Sequence, residues 1–122
     1  MRPDFKNLLV WRQAHQFTLD VYQITRSFPE DERFGLTSQL RRAVISIESN
    51  IAEGNARNTI KDFIQFLYIA RGSLAETESQ LLIAKDLGYI NSSEYNHLDD
   101  LRISIAKLLN LLIKKLLLPV KS

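Results

Sequence analysis

The segment Gln39-Leu-Arg-Arg-Ala-Val-Ile-Ser-Ile-Glu-Ser-Asn-Ile-Ala-Glu-Gly54 carries more structural information than any other part of the chain. If it is helical, residues three or four positions apart lie on the same face. Its polar residues then form one narrow stripe of Gln39, Arg42, Ser46, Asn50 and Glu53. An apolar stripe runs directly beside it and consists of Leu36, Leu40, Ala43, Ile47 and Ile51. Because a solvated face does not require such strict register, we interpret the polar stripe as a seam that packs against another helix.

A second polar stripe, Ser73, Glu76 and Gln80, follows further along the chain at the same helical spacing. Buried polar groups need hydrogen-bond partners, and the second stripe would supply them to the first. A structural role for the seam is favoured, because polar residues in a core fix register and partner choice. The alternative is a catalytic role, with Glu53 and Glu76 as an acid and base pair in a seam open to solvent. The predicted structural network comprises Gln39, Arg42, Ser46, Asn50, Glu53, Ser73 and Glu76.

Helix boundaries are marked by capping residues and by a small number of glycines and prolines. Thr59 and Asn91 are each followed three residues later by an acidic residue, which is a typical helix start. Gly88 is a suitable C-cap, and Pro119 is expected to end the last helix. Four long helices joined by short connections predict a single all-α domain over residues 1–122, an antiparallel up-down-up-down four-helix bundle. The helices are predicted at about 5–27, 37–56, 59–87 and 92–118.

The first and fourth helices are apolar on more than one side. One side of the first helix carries Val10, Ala14, Phe17, Val21 and further apolar residues at heptad-like spacing. A helix that is apolar on two sides is expected to be buried on two sides. We therefore predict a homo-oligomer; the alternative is a large core with scattered exposed apolar residues, which is common. The predicted interface consists of Trp11, Leu19, Tyr22, Leu111 and Leu118, with aromatic residues favoured because interfaces are enriched in them.

Basic residues are concentrated near both ends of the sequence, although the formal net charge is only +2. From Leu101 onward the chain contains five basic residues and no acidic ones. In an antiparallel bundle the start of the first helix and the end of the fourth lie at the same end, so that end is expected to be positive. A positive surface repeated around an oligomer attracts phosphate backbones without reading sequence. The alternative is that these lysines only complement the helix dipole. The predicted contacts are Lys107, Lys114, Lys115, Lys121, Arg2, Lys6 and Arg12.

Composition excludes several classes of protein and site. The sequence contains no cysteine, which excludes disulfides and thiolate chemistry and fits a reducing cytoplasm. The N-terminal residues lack the apolar run of a signal peptide, and no stretch is long and apolar enough to span a membrane. We therefore expect a cytoplasmic protein that does not interact with membranes.

Catalytic and metal-binding signals are weak. A di-iron site in a bundle uses two Glu-x-x-His motifs, whereas this chain has one, Glu94-Tyr-Asn-His97, at the start of a helix. The other histidine, His15, lacks such a partner in the sequence, and neither histidine is near Ser46 or Ser73 as a base for a serine nucleophile. We expect no metal, no cofactor and no enzymatic activity.

Several of these motifs resemble one bacterial family. They are Arg41-Arg42-Ala43, Ser46-Ile47, Asn50-Ile-Ala-Glu-Gly54, Ala70-x-Gly72-Ser73-Leu74-x-Glu76 and Leu87-Gly88-Tyr89-Ile90. The chain resembles the four-helix-bundle proteins encoded by intervening sequences inside 23S ribosomal RNA genes, which are similar to the accessory variability protein of diversity-generating retroelements. The resemblance implies an all-α bundle, a homopentamer, no established enzyme activity and a suspected role in binding nucleic acid.

Two functional hypotheses follow. The first is a non-enzymatic, ring-like homo-oligomer, which the resemblance implies is a pentamer. It would bind the phosphate backbone of RNA or DNA, or assist a nucleic-acid enzyme such as a reverse transcriptase. The second is a protein–protein assembly module that does not bind nucleic acid. An enzyme is the least favoured of the three classes. The sequence contains no base-reading motif, so any binding is expected to follow the backbone or shape of the nucleic acid.

Overall fold

A computed structural model describes residues 2–118, and within that range the chain forms four α-helices and no β-strand. The predicted all-α class is thereby confirmed. The helix ends agree with the predicted ones to within two residues, except at the start of the first helix. Pro119, the predicted stop of the last helix, lies outside the described residues. The helices are α1 (Leu9–Thr25), α2 (Leu36–Asn55), α3 (Ile60–Asp86) and α4 (Ser92–Leu117).

The first helix begins at Leu9 rather than at residue 5 because a separate short turn precedes it. Residues Phe5–Asn7 form a 3₁₀ turn, and the side chain of Asp4 accepts a hydrogen bond from the Lys6 backbone N–H at 2.9 Å. Leu8 is extended, with φ −78° and ψ 124°, so the turn does not continue into α1. A short polar residue that bonds the backbone two residues on favours such a turn over a helix.

The predicted caps of α3 and α4 are present. The Thr59 side chain accepts a bond from the N–H of Asp62, and Asn91 and Glu94 form a reciprocal capping box. Gly88 follows α3 with φ +77°, a conformation that favours glycine. The Gly88 and Tyr89 N–H groups bond back to carbonyls of the last turn, Lys85 and Ala84 respectively. The chain is thereby directed from α3 into α4.

The four helices pack around one core, and each helix contacts two others. Helix α1 contacts α2 and α4, and α3 contacts the same two helices. Gln13 in α1 accepts a hydrogen bond from Ser104 in mid-α4, and Asp20 near the end of α1 bonds His97 near the start of α4. The core between the helices includes the fully buried side chains of Phe17, Leu40, Ile47, Ile51, Leu67, Leu81, Leu98, Ile105 and Leu109.

The core face of α4 differs from the heptad spacing expected from its sequence. A strict heptad count places Leu101, Leu108 and Leu112 inward, and the structure packs all three against the core but leaves them half-buried. Leu109 and Ile113 are buried more deeply, together with Leu98 and Ile105 of the heptad positions. A straight α-helix turns once every 3.6 residues, so the inward face drifts from a 3.5-residue repeat by about 20° per heptad. The difference follows from that drift along a long helix.

Candidate nucleic-acid interface and polar seam

The lysines in the second half of α4 are exposed. Lys107 and Lys114 are seven residues apart and share one face of the helix, and Lys115 adjoins them. Among residues 2–118, none of the three takes part in an ion pair or a side-chain hydrogen bond. Their charges are therefore accessible to a ligand. Lys121, the fourth predicted contact of this segment, lies outside the described residues.

Arg102, the first basic residue of the same segment, has a different environment. Its side chain is only 13% exposed, and its guanidinium pairs with Asp99 at 2.8 Å and with Glu78 of α3 at 3.3 Å. This pairing joins α3 to α4. The exposed basic surface of α4 consequently begins at Lys107.

Arg2 does not have the exposed guanidinium that the predicted phosphate contact requires. Its guanidinium donates to the backbone carbonyls of Gly54 at 3.3 Å and Asn55 at 2.9 Å, and to that of Arg57. It also lies over the ring of Phe63, 5.1 Å from the centroid. The last carbonyls of a helix have no intrahelical partner and carry partial negative charge, so they attract a cation. Arg2 therefore caps the end of α2, which corrects the prediction.

Lys6 and Arg12 remain exposed at the start of α1. The Lys6 ammonium lies 3.5 Å from the Asp4 carboxylate, with both side chains largely in solvent. Such surface pairs contribute little, so Asp4 does not prevent Lys6 from meeting a phosphate. Arg12 donates through Nε to the Lys6 carbonyl at 2.8 Å. These two residues retain the accessible charge that their predicted role needs.

The polar seam lies between α2 and α3, where a short hydrogen-bond chain links the two helices. The hydroxyls of Ser46 and Ser73 are 2.9 Å apart. Asn50 donates to the Ser46 carbonyl at 2.8 Å and to its hydroxyl at 3.0 Å. Ser73 is buried, whereas Ser46 and Asn50 are half-buried. Only these three of the seven predicted network residues are joined by hydrogen bonds.

The longer side chains of the predicted network lie outside this chain of bonds. Gln39, Arg42, Glu53 and Glu76 are all exposed, and Glu53 pairs with Arg57 at 3.1 Å rather than with Arg42. The prediction that they form one buried network is therefore wrong for these four residues in the single chain. The physical reason is that α2 and α3 meet through small and apolar side chains, which leaves longer polar ones at the rim.

A cleft of about 330 Å³ on the surface between the two helices is bordered by three of these residues, Gln39, Arg42 and Glu76. Gln80 belongs to this cleft; it is 9% exposed, and its Oε1 has no hydrogen-bond partner among residues 2–118. Glu76 and Arg42 are on the same cleft, but no hydrogen bond or ion pair joins them in the described part of the chain. No histidine lines the cleft. Neither the Ser46 nor the Ser73 hydroxyl bonds a carboxylate in the described part of the chain.

Histidines and carboxylates form interhelical pairs elsewhere in the bundle. His15 Nδ1 lies 2.9 Å from the Glu48 carboxylate and stacks on Trp11, and His97 Nε2 lies 2.8 Å from Asp20. Glu94 is used in the cap of α4. Among residues 2–118, no three His, Cys, Asp or Glu side chains converge as metal ligands would. No described helix is long and apolar enough to cross a membrane.

The predicted interface residues divide into two groups. Leu19, Leu111 and Leu118 are 50%, 63% and 62% exposed, which leaves apolar surface uncovered in the single chain. Trp11 and Tyr22 are instead half-buried by their own chain: Phe5 and His15 contact the Trp11 ring, and the Arg41 guanidinium lies 4.5 Å from the Tyr22 centroid. The aliphatic residues are therefore better candidates for contact with another copy.

Some features of the site were not anticipated from the sequence. The capping role of Arg2 joins residues more than fifty positions apart, and no local signal indicates such a contact. Glu32 and Tyr89 are another such pair: the Tyr89 hydroxyl donates to the Glu32 carboxylate at 2.8 Å. The Leu36 N–H and this hydroxyl lower the pKa of Glu32, and the same bond raises the pKa of Tyr89.

Comparisons with known proteins agree with the four-helix architecture. The family model described as 23S rRNA-intervening sequence protein matches residues 6–111. The chain is similar to a crystal structure of a protein of unknown function from the S23 ribosomal protein family of Bacteroides thetaiotaomicron, with 28% sequence identity and a TM-score of 0.80. That match covers 87% of this chain and 96% of the other. No curated protein matches the chain. The resemblance drawn from the sequence motifs is confirmed.

Proposed function

Since this chain belongs to the family of 23S rRNA-intervening sequence proteins, we propose that it is a non-enzymatic helical bundle that binds the backbone of RNA or DNA. The observation that carries the proposal is the lysine surface of α4, which consists of Lys107, Lys114 and Lys115. All three side chains are exposed, and the chain has no acidic residue beyond Asp100 to neutralise them. Lysine and arginine that neutralise phosphates release counterions, which supplies affinity without sequence preference.

The helix contacts support an antiparallel up-down-up-down topology, in which the start of α1 lies near the end of α4. Contacts at Gln13–Ser104 and Asp20–His97 run in opposite directions along the two helices. The contacts between α3 and α4 also support an antiparallel arrangement, because Arg71 bonds Asn110 and Glu78 pairs with Arg102. In this topology Lys6 and Arg12 extend the lysine surface at one end of the bundle.

The bundle assembles with copies of itself, and the family resemblance favours a pentamer arranged as a ring. Three exposed aliphatic side chains support this: Leu19 in α1, Leu111 in α4 and Leu118 directly after α4. Burial of apolar surface between copies would stabilise the assembly. A ring would repeat the lysine surface once per copy and so multiply the attraction for a phosphate backbone. Such an assembly would also suit an accessory to a nucleic-acid enzyme such as a reverse transcriptase in the cytoplasm.

The second candidate function is an assembly module that does not bind nucleic acid. The same exposed leucines favour it, because apolar surface serves contact with another protein as well as with another copy. In that case the exposed lysines would serve solubility alone. The two candidates therefore differ in one measurable property, which is affinity for a phosphate backbone at low salt.

Replacing Lys107, Lys114 and Lys115 with glutamine tests the proposal. Binding to labelled duplex DNA is measured by filter binding between low and physiological salt. We expect weaker binding to every sequence, and a slope of log affinity against log salt that flattens by about 0.9 unit for each phosphate that is no longer neutralised. The leucine face of α4 is unchanged, so the variant should remain folded.

The three lysines are also replaced one at a time, and Lys85→Gln is the matched control for these single variants, because it removes one exposed charge at the far end of α3. Its ammonium lies over the Tyr95 ring, 4.5 Å from the centroid, outside the lysine surface. The control should leave the salt slope unchanged. A parent protein that does not bind duplex DNA or structured RNA at low salt would leave the assembly module as the function. Equal losses of affinity in the control and the α4 variants would contradict the placement of the site.

A further inference from the structure

We propose that the corner between α1 and α2 is a second nucleic-acid contact, which binds an unpaired base and its phosphate from a single strand. This corner consists of Tyr22, Arg33, Phe34, Arg41 and Arg42, with the first turn of α2. The proposal rests on the proposed function, since it assigns a further ligand chemistry to the same protein. It differs from the lysine surface in that aromatic rings accompany the arginines.

The most exposed large apolar side chain among the described residues is Phe34. It is 87% exposed in the connection between α1 and α2. The guanidinium of Arg33 lies over its ring, 5.3 Å from the centroid. An exposed ring with an adjacent guanidinium is the combination on which single-stranded nucleic acids stack, because every base has a flat π face.

The arginines of the corner have two kinds of environment. Arg41 is held in place: its Nε donates to Thr25 Oγ1 at 2.9 Å, and its guanidinium lies on the Tyr22 ring. Arg42 is exposed and has no hydrogen-bond or ion-pair partner within residues 2–118. Arg33 pairs with Glu30 alone, at 3.6 Å, with both side chains largely in solvent. The corner thus combines one fixed cation with two that are accessible to a phosphate.

Nearby carboxylates do not cancel this charge. Glu32 is engaged by the Leu36 N–H and the Tyr89 hydroxyl, so its carboxylate already has two hydrogen-bond partners. Glu30 forms only the exposed pair with Arg33, and such pairs are weak in solvent. Asp31 is exposed in the same turn, and Glu76 borders the α2–α3 cleft with Arg42 but forms no ion pair with it among residues 2–118. A phosphate can displace an exposed carboxylate from an arginine, because guanidinium binds phosphate in a bidentate manner.

A cleft of about 300 Å³ connects these groups, and Thr37 and Ser38 form part of its wall. They are the second and third residues of α2, and the N–H of the first, Leu36, already donates to the Glu32 carboxylate at 3.1 Å. Thr37 is 8% exposed, and its hydroxyl has no hydrogen-bond partner in the part of the chain that the structure describes. The cleft therefore offers polar groups for a phosphate beside the rings that would stack a base.

The ligand must be single-stranded because stacking on Phe34 needs a base that is free of its neighbours. In a duplex both faces of each base are covered by adjacent base pairs. The lysine surface has no such requirement, since it attracts the backbone alone. The corner lies beside the end of α1, where Asp20 contacts His97 at the start of α4. It is therefore separated along the bundle from the lysines in the second half of α4.

Phe34→Trp provides a direct readout, because stacking of a base on the indole quenches its fluorescence. The probes are a short single-stranded oligothymidylate and an abasic deoxyribose-phosphate oligomer of the same length and charge. The parent protein, whose only tryptophan is Trp11, serves as the blank. We expect the oligothymidylate to quench the introduced tryptophan, and the abasic oligomer to leave its intensity unchanged.

Asn110→Trp is the matched reporter for the lysine surface. Asn110 is exposed and lies three residues after Lys107 and four before Lys114, on the same face of α4. Because this surface attracts phosphates alone, the two oligomers should change its fluorescence equally. Equal quenching by the two oligomers at position 34 would overturn the stacking proposal.

Substitutions then separate the two parts of the corner. Phe34→Leu keeps an apolar side chain but removes the ring, and it should weaken binding of the oligothymidylate about fivefold or more. Phe34→Tyr should restore it. Arg42→Gln should flatten the salt dependence by about 0.7 unit for the single strand. Ile69→Ala, a change of an exposed apolar side chain in mid-α3, should alter none of these quantities.

The outcomes distinguish this proposal from the proposed function. If duplex binding depends on the α4 lysines while the tryptophan at position 34 does not respond, the corner is not a site and the proposed function stands. If the parent protein binds no nucleic acid, both fail. If the corner binds the single strand while duplex binding ignores the α4 lysines, only the lysine surface is wrong. A lower assembly mass in Phe34→Leu, with unchanged affinity, would assign Phe34 to contact between copies and overturn the proposal.

Discussion

Gly54 and Gly72 lie in neighbouring helices but have opposite surroundings. A Cβ added at Gly54 would lie 2.7 Å from Phe66 Cβ and 3.0 Å from Phe63 Cδ1, so the helices would have to move apart. A Cβ at Gly72 would meet nothing within 4 Å. The first glycine therefore allows α2 and α3 to approach closely, whereas the second only weakens its helix.

We expect Gly54→Ala to destabilise the fold by about 1–3 kcal/mol, because overpacking forces a well-packed contact apart. Gly72→Ala should stabilise it by about 0.5–1 kcal/mol, since alanine is the better helix former. Denaturant unfolding of the two variants beside the parent measures both free energies. If both changes stabilise the fold or both destabilise it, the close approach of α2 and α3 does not require a glycine at position 54.

At the scale of single residues, predictions from sequence succeeded where the deciding interaction is local. The caps at Thr59 and Asn91 bond residues three positions away, so their patterns identify them. The role of Arg2 was missed because it depends on carbonyls at the end of α2, far away in the sequence. The exposure of Arg42 was missed because the burial of a side chain depends on how closely two helices approach. Periodicity gives the face of a helix but not that depth.

At the scale of elements, the sequence predicted four helices and most of their ends. Long periodic segments bounded by caps are the strongest signals available in a single sequence. The inward face of α4 was displaced because heptad spacing assumes a supercoil that this helix does not follow. The contact between the Glu30–Glu32 turn and the α3–α4 connection was not predicted, since the two segments are joined only by the fold.

This contact makes a prediction about pH. Glu32 has a lowered pKa in the folded chain, chiefly from the Leu36 N–H and then from the Tyr89 hydroxyl. A lowered carboxyl pKa stabilises the fold above the unfolded value of about 4.3, and the stabilisation is lost as the pH falls through the folded value. Tyr89→Phe removes one of the two bonds. The difference in the free energy of unfolding between parent and variant should therefore be largest at neutral pH and smallest in acid.

Denaturant unfolding between about pH 6 and pH 3 measures that difference. Tyr95→Phe is the control, because the pKa of Tyr95 is raised mainly by burial, and no carboxylate accepts a bond from its hydroxyl among residues 2–118. Its difference from the parent should not change over this range. If the stability difference between the parent and Tyr89→Phe is constant with pH, the Tyr89 hydroxyl does not stabilise the ionised Glu32 carboxylate.

At the scale of the whole molecule, the exposed leucines predict an assembly larger than a dimer. Light scattering coupled to size exclusion at micromolar concentration should give a mass above twice the 14.1 kDa of one chain, and about five times it for the family-guided pentamer. Leu19→Gln should lower that mass, because it places a polar amide in the proposed contact. If the parent protein elutes as a monomer, it does not assemble. The lysine surface would then not be repeated around a ring.

The salt dependence of nucleic-acid binding tests the proposed function most directly. Affinity of the parent protein for two duplexes of the same length and unrelated sequence is measured by filter binding from low to physiological salt. We predict equal affinities and parallel straight lines of log affinity against log salt, with slopes of about −0.9 per phosphate neutralised. Absence of binding at low salt, or a tight preference for one sequence that persists at physiological salt, would contradict a backbone-binding role.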